Sequence, residues 1–207
     1  MGVDYWWFGC FIDERKHDQI QPHFAAAAAN AVLSQQSRQA IAAWRACPSD
    51  FEQEAFITRP EVADQTNAFI AAFNLAGFVA LTRQILTQEG RLADILAEQS
   101  SFRMAITARH TPVSIVWHAL GYERASRLPC QMGNLLLRPS EVEEALEKTR
   151  RAYAGTAPSD LLEAGRRYCS TSVGDDALHE TLDFQPDGLA EALKRKCGFL
   201  ALTCPRI

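Results

Sequence analysis

The pattern of apolar and polar positions opens with an aromatic run, "VDYWWFGCFI", from Val3 to Ile12. Neighbouring side chains of an extended chain point to opposite faces, so Trp6 and Trp7 look in opposite directions. A bare aromatic face would expose a patch near the limit that monomers tolerate. The run therefore predicts an interior strand covered on both faces and paired with "GFLALTC" near residue 200. The alternative is that the face of Trp6 and Phe8 meets a partner or a second copy of the chain, with Gly9 allowing a bulge or a close approach.

Helical periodicity accounts for most of the remaining chain. Pro22 suits the first turn of an alanine-rich helix, which either runs to Cys47 or breaks between Ser34 and Ser37. The most apolar segment, about 64–89, predicts one central helix ended by Gly90, and "RLADILAEQ" predicts a shorter helix after it. Further helices are predicted from a capping box at Ser49 and Glu52, from Thr111 to Gly121, from a capping box at Ser140 and Glu143, from Ser159 to about Cys169, and from about Asp187 to Cys197.

Two other apolar segments bear on the sheet. "RMAITA" is compatible with a strand or a helix, and "MGNLLLR", from Met132 to Arg138, predicts a short buried strand. The confident strands lie too far apart for tight hairpins, so they must form one small sheet against helices. The predicted fold class is α+β: a helix-rich single domain over residues 1–207, with a small sheet of N-terminal, middle and C-terminal strands. A subdivision near residues 128–132 is the alternative organisation.

Composition and charge limit the classes of partner that the chain is expected to bind. The chain has 207 residues and a formal net charge of −4, which argues against a nucleic-acid backbone as the main partner. Its longest apolar run, from Ala68 to Leu81, is too short to span a bilayer, and the N-terminus lacks the basic start of a signal peptide. These features predict a cytoplasmic protein that uses no membrane. No common nucleotide-binding, hydrolase or zinc motif occurs, so no cofactor or metal is predicted.

One segment, "VWHALGYERASR", carries the strongest candidate recognition residues. Aromatic and basic side chains there predict a surface for an anionic or planar group, formed by Trp117, His118, Tyr122, Arg124 and Arg127. The competing interpretation is structural: His118 stands at a helix C-terminus, where the helix dipole stabilises a charged imidazole.

Six cysteines without a CxxC pair predict buried free thiols. Cys130, and Cys169 with the following Asp175, Asp176 and His179, superficially resemble a nucleophile with its partners. The simpler interpretation is that Cys169 is buried and that the two aspartates cap a helix. An enzyme with a dispersed Cys/His site therefore stays an alternative, as does a small-molecule sensor with a pocket between sheet and central helix.

The C-terminal third carries a resemblance. From Gln131 to Ile207, a short strand and helix start, "LLLRPSEVEEALEKT", lead through helices to the final apolar strand "GFLALTC". This arrangement resembles small bacterial α+β proteins of unknown function, which include immunity proteins of polymorphic toxin systems. The resemblance implies a non-catalytic cytoplasmic protein that binds another protein, and it assigns no functional residues. The predicted function is a protein-binding module with an immunity or regulatory role, and a homodimer is an open alternative.

Overall fold

The computed structural model describes residues 4–52, 55, 58–86, 96, 102–169 and 172–205. Its strands form one antiparallel sheet in the order β2-β1-β4-β3. This sheet confirms the predicted α+β class and the pairing of the aromatic run with "GFLALTC". The strands are β1 (Asp4–Ile12), β2 (Phe102–Ala108), β3 (Leu135–Leu137) and β4 (Gly198–Pro205).

Helices pack on both faces of the sheet, and short 3-10 turns occupy Pro48–Phe51 and Pro139–Glu141. The described helices are α1 (Glu14–Ala29), α2 (Gln35–Ala46), α3 (Pro60–Ala71), α4 (Ala76–Leu86), α5 (Pro112–Leu120), α6 (Tyr122–Ala125), α7 (Val142–Tyr153), α8 (Pro158–Cys169) and α9 (Asp175–Arg195).

The two faces of the sheet carry separate cores. The Trp7 face, which holds Trp7 and Phe11 of β1, packs against α2, α3, α5, α7, α8 and α9. The Trp6 face, which holds Phe8 and Cys10, packs against α1 and α4. Both faces of β1 are therefore covered along most of its length, as the alternation of its side chains predicts.

Gly9 lets the sheet and α9 approach closely. A Cβ atom at Gly9 would lie 2.9 Å from ring carbons of Phe184 and Phe199. The Trp7 ring stacks on Phe184 with 4.2 Å between centroids. The register of β1 with β4 continues one to one through Gly9, so the glycine serves close packing and not a bulge.

The predicted central helix is wrong as a single element. It ends at Ala71 and restarts at Ala76, and the two parts are bent by 56°. The last turn of α3 tightens, because Asn74 N–H donates to the carbonyl of Ala71 at 3.0 Å, and asparagine favours helix ends. The break places α3 on the Trp7 face and α4 on the Trp6 face.

Gly90 and the predicted helix "RLADILAEQ" lie outside the described residues, except Leu96, which is buried with the Trp6-face core. Among the described helices, no single one is long and apolar enough to cross a membrane. The bent pair Val62–Ala71 and Ala76–Leu86 meets that test of length and composition only when taken together.

Two helices contain a proline in their interior. Helix α1 starts after Asp13, whose carboxylate accepts from Lys16 N–H at 2.7 Å, so Pro22 lies inside it. Helix α9 starts after Gly174, as predicted from Asp175 and Asp176, and it continues through the second start predicted near Asp187, so Pro186 lies inside it. A proline cannot donate to the carbonyl four residues earlier, and the hydroxyl of Tyr153 donates to that carbonyl, on Leu182, at 2.9 Å.

The capping predictions have mixed outcomes. Ser34 caps α2, so of the two alternatives the chain has the break and not one helix that runs to Cys47. The box predicted at Ser140 and Glu143 is wrong by two residues, because the Glu141 carboxylate accepts from Arg138 N–H at 2.8 Å. Ser49 opens no α-helix in the described residues, since it lies inside the 3-10 turn Pro48–Phe51.

Candidate functional site

Two of the predicted recognition residues are buried. Trp117 and His118 of α5 are 6% and 7% exposed, so the prediction that they form a surface is wrong. The physical reason is that α5 is enclosed by aromatic side chains from distant segments. Ring centroids lie 5.4 Å from Trp117 to Phe73 and 6.2 Å from Trp117 to Trp44.

Both nitrogens of His118 face a partner. The Trp44 indole N–H points at His118 Nδ1 at 3.1 Å, and His118 Nε2 lies 3.6 Å from Glu52 Oε1. The imidazole also stacks on Tyr168 with 4.6 Å between centroids. Because Trp44 can only donate, this arrangement requires the His118 tautomer that carries its proton on Nε2. Glu52 in turn accepts from Arg167 Nε at 3.2 Å.

Burial, together with the nearby Arg167, lowers the pKa of His118 to about 4. The imidazole is therefore neutral at pH 7, which corrects the prediction that the helix dipole holds it charged. Desolvation outweighs the partial charge of the helix terminus. With Nδ1 occupied by the Trp44 N–H, His118 has no free lone pair for a general base.

The other three predicted recognition residues are less buried, and of these Tyr122 lies beside Trp44 and Trp117. The Tyr122 ring is half-buried, and the guanidinium of Arg45 lies 4.3 Å above its centroid while pairing with Glu123 at 2.9 Å. A planar ligand would have to displace Arg45 to stack on that ring face. Arg124 is half-buried and Arg127 is exposed. The five predicted residues thus do not form one continuous surface.

The candidate cysteine nucleophiles are poorly suited to that role. Burial raises the pKa of the Cys130 thiol to about 11, and it raises the pKa of Cys169 still further. Protonated thiols are weak nucleophiles. Asp175 accepts two hydrogen bonds of 2.9 Å from Arg166. Its carboxylate is therefore paired with Arg166 and not with the Cys169 thiol.

An exposed apolar strip lies on β2, at one edge of the sheet. Phe102, Met104 and Ile106 are 50%, 43% and 46% exposed. They share the Trp6 face with β1, where Ile106 pairs with the half-buried Trp6. We call Trp6, Phe102, Met104 and Ile106 the β2 strip.

The exposure of β2 is confined to one face. Ala105 and Thr107, which point to the Trp7 face, are 0% and 2% exposed beneath α9. On the Trp6 face, α1 and α4 cover β4 and the middle of β1 and leave the β2 side chains in contact with solvent. Phe8, predicted as part of the binding face, is only 1% exposed. Its ring is covered in part by Phe102, with centroids 5.4 Å apart.

Sequence reasoning identified Trp6 on this face and missed its neighbours on β2. The alternation of Phe102, Met104 and Ile106 was a usable signal, since every second residue of "FRMAI" is large and apolar. The partners of His118 left no such signal, because Trp44 and Tyr168 come from remote segments. The space between the sheet and α4, where a sensor pocket was an alternative, is filled by Trp6-face core residues that include Phe8, Phe78 and Leu202.

Among the described residues, no group of three or more histidine, cysteine or acidic side chains could hold a metal ion. The resemblance of residues 131–207 to immunity proteins stays a prediction. Comparisons with protein-family models, curated proteins and solved structures found nothing that matches this chain.

Proposed function

We propose that this chain is a non-catalytic cytoplasmic protein-binding module and that the β2 strip is its binding surface. The observation that carries the proposal is the exposure, by about half, of three adjacent large apolar side chains, Phe102, Met104 and Ile106. Contiguous apolar surface of this kind marks interaction sites more often than it marks ordinary protein surface.

The character of β2 supports an interface. Edge strands of soluble proteins are commonly protected by lysines, prolines or bulges. In β2 the single charge, Arg103, points to the opposite face, and the register with β1 runs without a bulge from Asp4–Ala108 to Cys10–Phe102. An edge strand this apolar and this regular is suited to covering by another protein.

The raised pKa values of the Cys130 and Cys169 thiols and the fully engaged His118 give catalysis less support than binding. The finer assignment, an immunity or regulatory role, comes from the resemblance of residues 131–207 and from the mild acidity of the chain. An immunity protein acts by covering part of a toxin, and an exposed apolar strip on a rigid sheet is a suitable surface for that contact.

The proposal is tested by recovering partners from an extract of the source organism with the tagged chain. We expect one partner to co-purify in stoichiometric amount with the wild type and with Val32→Glu, whose side chain is 76% exposed elsewhere. Ile106→Glu and Met104→Lys should reduce that recovery at least about tenfold, because each places a charge in the strip.

Circular dichroism of each variant checks that the fold survives. Equal recovery of the same partner with both strip variants, once they are shown to be folded, would overturn the proposal. An equal loss of partner recovery with Val32→Glu would also count against the proposal, because the loss would then not be specific to the β2 strip.

A further inference from the structure

The contact between helices α2 and α5 contains an acid-sensitive hydrogen bond. We propose that protonation of His118 releases α2 from α5 while the sheet stays folded. The bond between Trp44 and His118 then acts as a latch, which is closed at neutral pH and open in acid. This inference does not rest on the proposed function, because Trp44 belongs to the Trp7-face core and the β2 strip lies on the Trp6 face.

Helix α2 is held to the rest of the protein by one large side chain. Its buried residues are Ser37, Ala40 and Trp44, and only Trp44 is large. The Trp44 ring stacks on Phe69 of α3 with 4.8 Å between centroids, and α3 and the 3-10 turn Pro48–Phe51 supply most of the packing around α2. Because a helix of this length is marginal without tertiary contacts, α2 depends on the docking of Trp44.

Helix α5, on the other side of the latch, is anchored in the core. Val113, Ile115 and Val116 are at most 1% exposed, and α5 packs against α8, α9 and β1. Of the two helices that meet at His118, α2 therefore has the smaller number of large buried side chains to expose when it leaves, and we expect it to open first.

Protonation of His118 removes the acceptor that Trp44 requires. In the neutral ring, Nδ1 accepts from the Trp44 indole N–H at 3.1 Å, whereas an imidazolium carries a hydrogen on both nitrogens. Two N–H groups then face each other, and the buried Trp44 N–H loses its one hydrogen bond within the described residues. A buried donor without an acceptor is unfavourable, and the opening of α2 lets both groups reach water.

The other groups around the His118 ring have opposing effects on its charge. Glu52 Oε1 lies 3.6 Å from Nε2 and the Tyr168 ring is stacked at 4.6 Å, and both favour the charged form. Arg167 and the nearby His110 oppose it, and Arg167 also donates to Glu52 at 3.2 Å. Burial has the largest effect and, together with Arg167, lowers the pKa to about 4. The closed latch therefore resists protonation.

The size of the acid response follows from the pKa of His118 in the two forms. The exposed ring of the open form binds a proton near pH 6.5, whereas the closed form binds it near pH 4. Acid therefore favours the open form. The ratio of open to closed molecules changes little above pH 7 and rises about 20-fold between pH 7 and pH 5.

Amide hydrogen exchange of the full chain, followed by NMR at pH 7 and pH 5 and corrected for intrinsic rates, tests the latch. We expect the protection of the α2 amides to fall about 20-fold in the wild type. It should change less than about threefold in His118→Gln, because glutamine can accept from Trp44 but binds no proton. The matched control is His110→Gln. Burial also lowers the pKa of His110 to about 4, but its ring packs on Tyr168 of α8, so this variant should keep the 20-fold fall.

Urea separates the opening of α2 from global unfolding in the wild type. A local opening exposes little surface, so low urea concentrations at pH 5 should change the exchange of the α2 amides less than about twofold, while exchange of the β1 and β4 amides rises steeply. An equal urea dependence of the α2 and β4 amides would overturn the proposal. A full acid response in folded His118→Gln, or its loss in folded His110→Gln, would also overturn it. Since the urea comparison needs no substitution, it decides the question even if a variant does not fold.

Discussion

The hydroxyl of Tyr153 donates to the carbonyl of Leu182, the group that Pro186 leaves without its helical partner. Helix α9 can therefore contain a proline because α7 supplies the missing hydrogen bond. Leu182 is buried and Tyr153 is half-buried, and burial raises the pKa of Tyr153 far above its ordinary value. The phenol is thus protonated, and able to donate, at neutral pH.

We expect Tyr153→Phe to lower the free energy of unfolding by about 1–3 kcal/mol, because the Leu182 carbonyl is left buried without a donor. Pro186→Ala restores a backbone N–H to that carbonyl. In the Pro186→Ala background, Tyr153→Phe should therefore cost about 1 kcal/mol less. Urea unfolding of the four proteins measures this coupling, and strictly additive losses would contradict the assignment.

A second prediction compares two tryptophans of the His118 cluster. Trp44 donates to His118 Nδ1, whereas the buried Nε1 of Trp117 has no hydrogen-bond partner among the described residues. Trp44→Phe should cost more stability than Trp117→Phe by about 1–2 kcal/mol, since only the first leaves an acceptor unsatisfied. The two substitutions remove the same atoms, so each serves as the control for the other. Equal losses would mean that the Trp44–His118 bond contributes nothing.

Acidification should destabilise the protein through two histidines. Burial lowers the pKa of both His110 and His118 to about 4, while the unfolded chain binds these protons near pH 6.5. The stability they contribute is thus complete above about pH 6.5 and is lost as the pH falls toward 4. Between pH 6.5 and 5 the loss should be about 2 kcal/mol for each histidine.

Urea midpoints measured from pH 7.5 to 5 check this dependence, and His118→Gln should reduce its slope by about half. NMR titration of the imidazole resonances gives a direct control. An imidazole of His118 that titrates near pH 6.5 in the folded protein would contradict the burial argument.

Gly77→Ala tests helix packing, because helix propensity favours this substitution whereas the contact of α4 with α1 opposes it. Alanine is favoured over glycine by about 1 kcal/mol in a helix interior. A Cβ atom at Gly77, however, would lie 2.1 Å from the carbonyl oxygen of Ala27, and a backbone atom cannot rotate away. Gly77→Ala should therefore destabilise the protein by about 2 kcal/mol or more, by separating α4 from α1.

The matched control is Gly165→Ala in α8, where the nearest atom is a side-chain methyl of Leu178 at 3.3 Å. Because that methyl group can shift, we expect a change of less than about 1 kcal/mol. Thermal unfolding of both variants decides the comparison. A Gly77→Ala protein as stable as the wild type would show that α1 and α4 are free to separate.

The sequence was most informative where local neighbours decide the structure. The alternation in β1, the Thr111 cap and the Gly121 end of α5 follow from adjacent residues, and the structure has all three. The helix split after Ala71 was not predictable, because the sheet that separates α3 from α4 is assembled from remote strands. Asn74 alone is too weak a signal to end a helix.

The candidate site likewise combines features that follow from local sequence with features that depend on remote segments. The apolar alternation on β2 is a local pattern, but its exposure depends on where α1 and α4 stop covering the sheet. The burial of His118 depends on Trp44 and Tyr168, which lie far from it in the chain. Pro22 was misleading because an earlier cap, at Asp13, opens its helix, whereas the helix start predicted at Asp175 and Asp176 is where α9 begins.

The central position of β4 has a consequence for assembly. Strand β4 lies between β1 and β3, and β1 joins β2 to it. Until β4 pairs with both of its neighbours, the sheet can consist of no more than a β1–β2 pair and an isolated β3. Pairing between strands so far apart in the sequence is slow. Both aromatic faces of β1 remain incompletely covered until it occurs. Folding of this protein should accordingly be limited by the arrival of β4, at the stage when it is most prone to aggregate.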